Sequence, residues 1–240
     1  MTRTIILAIY LIPALIFSIP SLMRAKALDR KGKLEERNRL AFKVVGKISR
    51  KLIKLSGSQV KVIGEENIPK DKSVLFVSNH QSNFDIPLLL GFIDKPKAFI
   101  AKVELAKIPI LSQWMKAMGC IFIDRGNVRQ SLRAINEGVN LLKAGHSLVI
   151  FPEGTRSKDG QLGEFKHGSF KLATKSDARI IPVTIKGAHK IMPKGKLAIR
   201  PSKVEVIISK PVYIDEEIKK DSKALADKVK NIIKENLENN

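Results

Sequence analysis

Between Gln59 and Ser209 the chain alternates short runs rich in Val, Ile and Phe with stretches of helical periodicity, and this alternation limits the folds open to it. The runs at 60–63, 74–78, 98–101, 121–124, 148–151, 180–186 and 204–209 are strand-length and bounded by turn residues. Between two of them, residues 127–144 put Val128, Leu132, Ile135, Val139 and Leu142 on one helical face. Asn127 is placed to cap that helix and Gly145 to end it. A second such stretch starts at Ser222 and aligns Leu225, Val229, Ile232, Ile233 and Leu237. Strands alternating with helices predict an α/β domain with a mostly parallel central sheet flanked by helices. In such sheets ligands gather where strands end and loops begin.

The α/β pattern occupies residues 58–240, and residues 1–57 read as an N-terminal membrane-associating segment of two helices. Residues 5–23 are apolar except for Tyr10, Ser18 and Ser21, and as one helix would be roughly 28 Å long, near the thickness of a bilayer's hydrocarbon core. The stretch is long and lacks a clear A-x-A site, which disfavours a signal peptide. Pro13 and Pro20 weaken a straight span and favour a kinked helix entering one leaflet. Basic residues dominate 24–54, where Leu40, Val44, Ile48 and Leu52 recur every four positions, the pattern of a basic amphipathic helix suited to anionic membrane lipids. The expected location is the cytoplasmic face of the cell membrane, peripheral or monotopic rather than single-span. Removal of residues 1–54 is expected to leave the catalytic motifs intact while membrane association and most activity are lost.

The formal charge of +21 attracts polyanions of several kinds. Nucleic acid is disfavoured, because only 5% of residues are aromatic and no basic stretch is interleaved with stacking side chains. Cys120 is the sole cysteine, which rules out an intrachain disulfide, and the four histidines form no HExxH, so no metal site is expected. Without a G-x-S-x-G elbow, a serine hydrolase is disfavoured as well.

Polar clusters close four of the apolar runs. His80 follows the run 74–78, and Asp85 stands five residues later, just before Pro87. A turn there brings a carboxylate to an imidazole, fixing its tautomer for general-base work. Lys102 ends the run 98–101, Arg125 follows 121–124, and Glu153, Gly154, Thr155 and Arg156 follow 148–151. Exposed backbone amides beside Gly154, with Thr155 and Arg156, suit an oxyanion such as phosphate. Glu153 is placed to hold Arg156 or to accept from a substrate hydroxyl, and Lys166 and Gly168 add a weaker signal of the same kind. In a parallel sheet these clusters converge on one rim.

The same residues resemble the 1-acylglycerol-3-phosphate acyltransferases within the glycerolipid acyltransferase family. N-H-x-x-x-x-D is matched by Asn79, His80 and Asp85, and K-x-E-L with F-I-D-R by Lys102, Glu104, Leu105 and residues 122–125. F-P-E-G-T-R-S is matched by 151–157 without change, and an apolar stretch with a central proline by 180–183. The second block departs from the family's pattern in having Ile110-Leu111-Ser112 where a glycine often follows its proline. The resemblance implies that His80 is the base, oriented by Asp85, for attack of the acceptor's free 2-hydroxyl on an acyl thioester, giving phosphatidic acid. It further implies lysophosphatidic acid as acceptor, acyl-CoA or acyl carrier protein (acyl-ACP) as donor, and no bound cofactor. Lys102, Arg125 and Arg156 would hold the phosphate, with Glu153, Gly154 and Thr155 completing the binding set. Glycerol 3-phosphate or another lysophospholipid is the alternative acceptor, and a non-catalytic basic membrane-binding protein is the alternative of another class.

Overall fold

The structure is a computed structural model that describes residues 2–124 and 126–239, the side chain of Lys220 excepted. In chain order it comprises α1 (Thr2–Phe17), α2 (Ile19–Arg30), α3 (Leu34–Ser56), β1 (Gln59–Ile63), β2 (Val74–Ser78), α4 (Asp85–Phe92), β3 (Lys97–Lys102), α5 (Leu111–Ala117), β4 (Ile121–Ile123), α6 (Val128–Lys143) and β5 (Ser147–Ile150). There follow α7 (Lys171–Ser176), β6 (Arg179–Lys186), α8 (Ala188–Ile191), β7 (Lys203–Ile208), α9 (Glu216–Lys220) and α10 (Ser222–Glu238). Each expected strand is present, with ends shifted by a residue or so.

The seven strands form one sheet in the order β1-β7-β6-β2-β5-β3-β4. Every neighbouring pair is parallel except β6 with β7. Thus β6, β2, β5, β3 and β4 run the same way and bring their carboxyl ends to one rim. The central strands β2 and β5 are buried along their whole length. That explains why they read as unbroken apolar runs rather than as alternation.

The N-terminal segment contains three helices, not two. Residues 5–23 do not form one rod: α1 and α2 meet at Ser18 with a bend of 44°. Pro20 lies in the first turn of α2, where its lack of an N–H costs nothing, and its ring disfavours continuation of the preceding helix. The elbow is fixed from the protein side, because buried Ser18 donates to the Leu15 carbonyl at 2.7 Å and accepts from Trp114 Nε1 of α5 at 2.8 Å. Among the described residues no single helix is long and apolar enough to cross a membrane, although the bent pair meets that test of length and composition together.

The basic helix α3 packs against α4, burying Ala41, Gly46, Ser49 and Ile53, while Leu40, Val44, Ile48 and Leu52 of the expected stripe stay half-buried. The contact is close, with a glycine on each side. A Cβ on Gly46 would sit 3.1 Å from the Leu90 carbonyl oxygen, and one on Gly91 would meet Arg50 at 3.1 Å. Arg50 Nη1 then donates to the Gly91 carbonyl at 2.8 Å. So α3 belongs to the folded core, and deletion of residues 1–54 would strip the cover from α4 rather than detach a separable anchor. Gly46→Leu is expected to lower the unfolding free energy by about 1–3 kcal/mol through overpacking. Urea denaturation measures this, and an unchanged midpoint would show that the two helices do not meet there.

Candidate active site

Asn79 closes β2 with its side chain. Its Nδ2 donates to the Ile185 carbonyl at 2.9 Å and its Oδ1 accepts from the Ile185 amide at 2.8 Å, so it extends the pairing with β6 by one rung. His80 is thereby set at the rim. The chain turns, and Asp85 opens α4 with its side chain wholly buried. Asp85 Oδ2 lies 2.7 Å from His80 Nδ1 and accepts from the amides of Gln81 at 2.6 Å and Ser82 at 2.8 Å. An oxygen that already accepts from two amides leaves the third hydrogen on the ring. Nδ1 therefore carries it, and Nε2 is the nitrogen able to take up a proton. Asp85 stands in the first turn of α4, where the helix dipole favours a negative charge.

The loop after β5 holds His80 from the other side. Phe151 stacks on the imidazole with centroids 4.1 Å apart and planes at 20°. The His80 amide donates to Glu153 Oε1 at 2.7 Å, and the His80 carbonyl accepts from the Ser157 amide at 2.7 Å. Glu153 Oε2 accepts from the Gly163 amide at 3.0 Å. Burial pushes the Glu153 carboxyl up from its ordinary value, opposed by those two amide bonds. Glu153 is 6% exposed and borders the cleft described below, with each of its oxygens accepting from one amide. It clamps the histidine loop to the 160–165 segment.

Two concavities open beside this loop. One, of about 500 Å³, is lined by Thr155, Arg156, Lys158, Lys166 and Lys194 among others. Two acidic residues share that lining: Glu153, which accepts from two amides, and Glu164, which pairs with Lys230 at 2.7 Å. The other, of about 280 Å³, is a mainly apolar groove walled by Ile100, Ile123, Val128, Leu132, Ile135 and Phe151. Lys166 borders both concavities. It crosses Gly154, whose positive φ of 69° and missing Cβ let the lysine stem approach to where that Cβ would lie 3.1 Å away.

The structure thus brings His80, Asp85, Glu153, Gly154, Thr155 and Arg156 together. Lys102 ends β3 on the same rim but lines neither concavity, and its ammonium pairs with Glu104 at 2.5 Å. Arg125 lies outside the described residues. The apolar face of α6 serves two surroundings. Ala134, Gly138, Val139 and Leu142 are buried, whereas Val128 and Leu132 are exposed and wall the groove. The cap was read correctly, as Asn127 Oδ1 accepts from the Gln130 amide at 3.1 Å. Lys194 carried no motif signal at all. Cys120 is buried, and desolvation pushes its thiol up to about 12, which excludes a thiolate nucleophile near neutral pH.

Residues 59–186 match the family model described as Acyltransferase. A chloroplast 1-acyl-sn-glycerol-3-phosphate acyltransferase of Arabidopsis thaliana is 41% identical over 157 residues, which are 65% of this chain and 44% of that protein. The chain therefore spans less than half the length of that relative. A probable 1-acyl-sn-glycerol-3-phosphate acyltransferase of Mycoplasma pneumoniae is 35% identical over 72% of this chain and 69% of its own length. Among solved structures, the 1-acyl-sn-glycerophosphate acyltransferase PlsC from Thermotoga maritima superposes with a TM-score of 0.83 at 32% identity, over 99% of this chain and 95% of that one.

The role of Glu153 is open to a direct measurement of stability. In Glu153→Gln one of the two buried amides faces an NH₂ group in place of an acceptor. The expected loss is about 1–3 kcal/mol in unfolding free energy. Thermal or urea unfolding reads it, and wild-type stability would mean that the clamp is not formed.

Proposed function

The chain belongs to the acyltransferase family, and from that premise we propose that it transfers a fatty acyl group from acyl-CoA or acyl-ACP to the 2-hydroxyl of 1-acylglycerol 3-phosphate, yielding phosphatidic acid. The observation that carries this reading is the 2.7 Å contact between His80 Nδ1 and Asp85 Oδ2, which leaves Nε2 as the proton acceptor. Nε2 takes the hydroxyl proton as the oxygen attacks the thioester carbonyl. Asp85 holds the ring in its tautomer and stabilises the imidazolium that results. Collapse of the tetrahedral intermediate breaks the C–S bond, and the imidazolium returns the proton to the leaving thiolate. No acyl-enzyme is required.

The two concavities divide the substrates by chemistry. The cationic cleft suits the acceptor's phosphate, with Arg156 as a bidentate donor. The apolar groove beside Phe151 suits an acyl chain, since burying methylenes there is favourable at roughly 0.8 kcal/mol each. Cations and apolar walls meet at Lys166 close to the residue that stacks on His80, so head group and chain are held on either side of the base.

The protein works on the cytoplasmic face of the cell membrane, entering one leaflet. Ile5, Ile9, Ile12, Ile16, Phe17, Ile19 and Met23 are exposed on α1, the elbow and α2, with Phe17 83% exposed. An apolar face of this kind beside basic residues is the chemistry of an interfacial helix. The double substitution Ile9→Asp with Phe17→Asp is expected to weaken co-sedimentation with phosphatidylglycerol vesicles by at least about tenfold, since each lost apolar contact is worth roughly 1.5–3 kcal/mol. Equal sedimentation of variant and wild type would remove α1 from the interface.

The reaction itself is tested with purified protein, lysophosphatidic acid and each donor, with glycerol 3-phosphate as the competing acceptor. His80→Ala is expected to slow formation of phosphatidic acid by about 10²–10⁴ with the circular dichroism unchanged. Transfer at the wild-type rate by this variant would show that His80 is not the base.

A further inference from the structure

The loop that follows α8 lies outside the four motif blocks, yet it is tied to the turn of Thr155 and Arg156 and to the turn after His80. Lys194 Nζ donates to Thr155 Oγ1 at 3.2 Å and to the Arg156 carbonyl at 2.6 Å. The same ammonium lines the cationic cleft beside Arg156, Lys158 and Lys166. Its loop is fastened at two other points. Ser82 Oγ, next to the amide that binds Asp85, donates to the Met192 carbonyl at 3.0 Å. Thr4 Oγ1 of α1 donates to the Leu197 carbonyl at 3.0 Å and accepts from the Ile199 amide at 3.2 Å. Lys194 is therefore positioned from the histidine turn on one side and from the first helix on the other.

We propose that Lys194 determines specificity for the phosphate monoester of the acceptor. The assignment rests on the acyltransferase reading of the site. An ammonium has three N–H donors. Two hold the turn that carries Thr155 and Arg156, and the third serves a ligand in the cleft. The first two set Arg156 where its guanidinium meets the phosphate, and the third adds a charge-assisted bond of its own. A phosphate monoester carries about −1.5 to −2 charges near neutral pH, which suits a cleft whose carboxylates are already engaged. An acceptor with a hydroxyl in place of the phosphate gains nothing from this cation. The contribution falls on acceptor binding and not on proton transfer at His80.

Binding and turnover are measured separately in the full-length wild type, Lys194→Met and Lys194→Arg. Titration calorimetry follows a short-chain, water-soluble lysophosphatidic acid and the corresponding monoacylglycerol, and steady-state kinetics follow acceptor and donor. In Lys194→Met the Kd and KM for lysophosphatidic acid are expected to rise at least roughly tenfold, the direct hydrogen bond to a charged group alone accounting for that much and the released Arg156 turn adding to it. The kcat and the donor KM should move by less than about twofold, because uniform binding is what has been removed. Lys194→Arg should recover most of the affinity, and monoacylglycerol binding should not change. An unaltered Kd for lysophosphatidic acid overturns the assignment, as does an equal loss with monoacylglycerol or a rise confined to the donor KM. Binding is read apart from turnover. A wild-type protein that binds lysophosphatidic acid but does not acylate it would sink the proposed reaction and still decide the role of Lys194.

Discussion

One oxygen of Asp85 gathers the hydrogens of His80 Nδ1 and of the Gln81 and Ser82 amides, in a place from which water is wholly excluded. A carboxylate there would be costly if it stood alone, and the bonds it accepts together with the dipole of α4 are what make it tolerable. The turn between β2 and α4 takes its shape from that oxygen, and the imidazole takes its tautomer. The other tethers of His80 all come from the loop after β5: Phe151 on the ring face, Glu153 on the amide and Ser157 on the carbonyl. The imidazole ring is thus held from the ends of two neighbouring parallel strands, by contacts to its ring, its amide and its carbonyl. Such preorganisation is what a general base would need to act without a reorganisation cost.

The same arrangement links the N-terminal helices to the site. α4 begins with Asp85 and ends where Arg50 of α3 binds the Gly91 carbonyl. The glycine contact between α3 and α4 is close, so the helix carrying the carboxylate is seated on a helix of the N-terminal segment. α1 reaches the site by a second route, through Thr4 and the loop that bears Lys194. The N-terminal helices thus do more than present an apolar surface. They pack on the helix that carries Asp85 and on the loop that holds the Thr155–Arg156 turn.

Much of the fold was legible because its signals are local. Strand-length runs of Val, Ile and Phe stop at turn residues, and the Asn127 cap and positive-φ Gly145 announce the ends of α6. What the pattern leaves open is what lies opposite a face. The apolar stripe of α6 is continuous in sequence, but its first turns border the groove, so Val128 and Leu132 wall a cavity while Leu142 enters the core. The stripe of α3 is half-buried beside the face that meets α4, and the pattern of an amphipathic helix is the same whether its partner is lipid or protein. The two amides on Glu153 were not legible, because no motif states which amides will come within reach of a carboxylate.

The sequence by itself determined the secondary structure, the rim and the nearness of His80 to Asp85, since His80, Asp85 and the F-P-E-G-T-R-S turn sit at fixed short distances along the chain from strand ends. Tertiary structure alone decided which cations face one cleft, which carboxylate is engaged elsewhere, and that Lys194 joins the site from a loop about 40 residues beyond the turn it holds. The physical reason is range. Periodicity and capping act over a turn or two of chain, whereas a hydrogen bond or an ion pair between distant segments exists only after the sheet has set the order and direction of its strands.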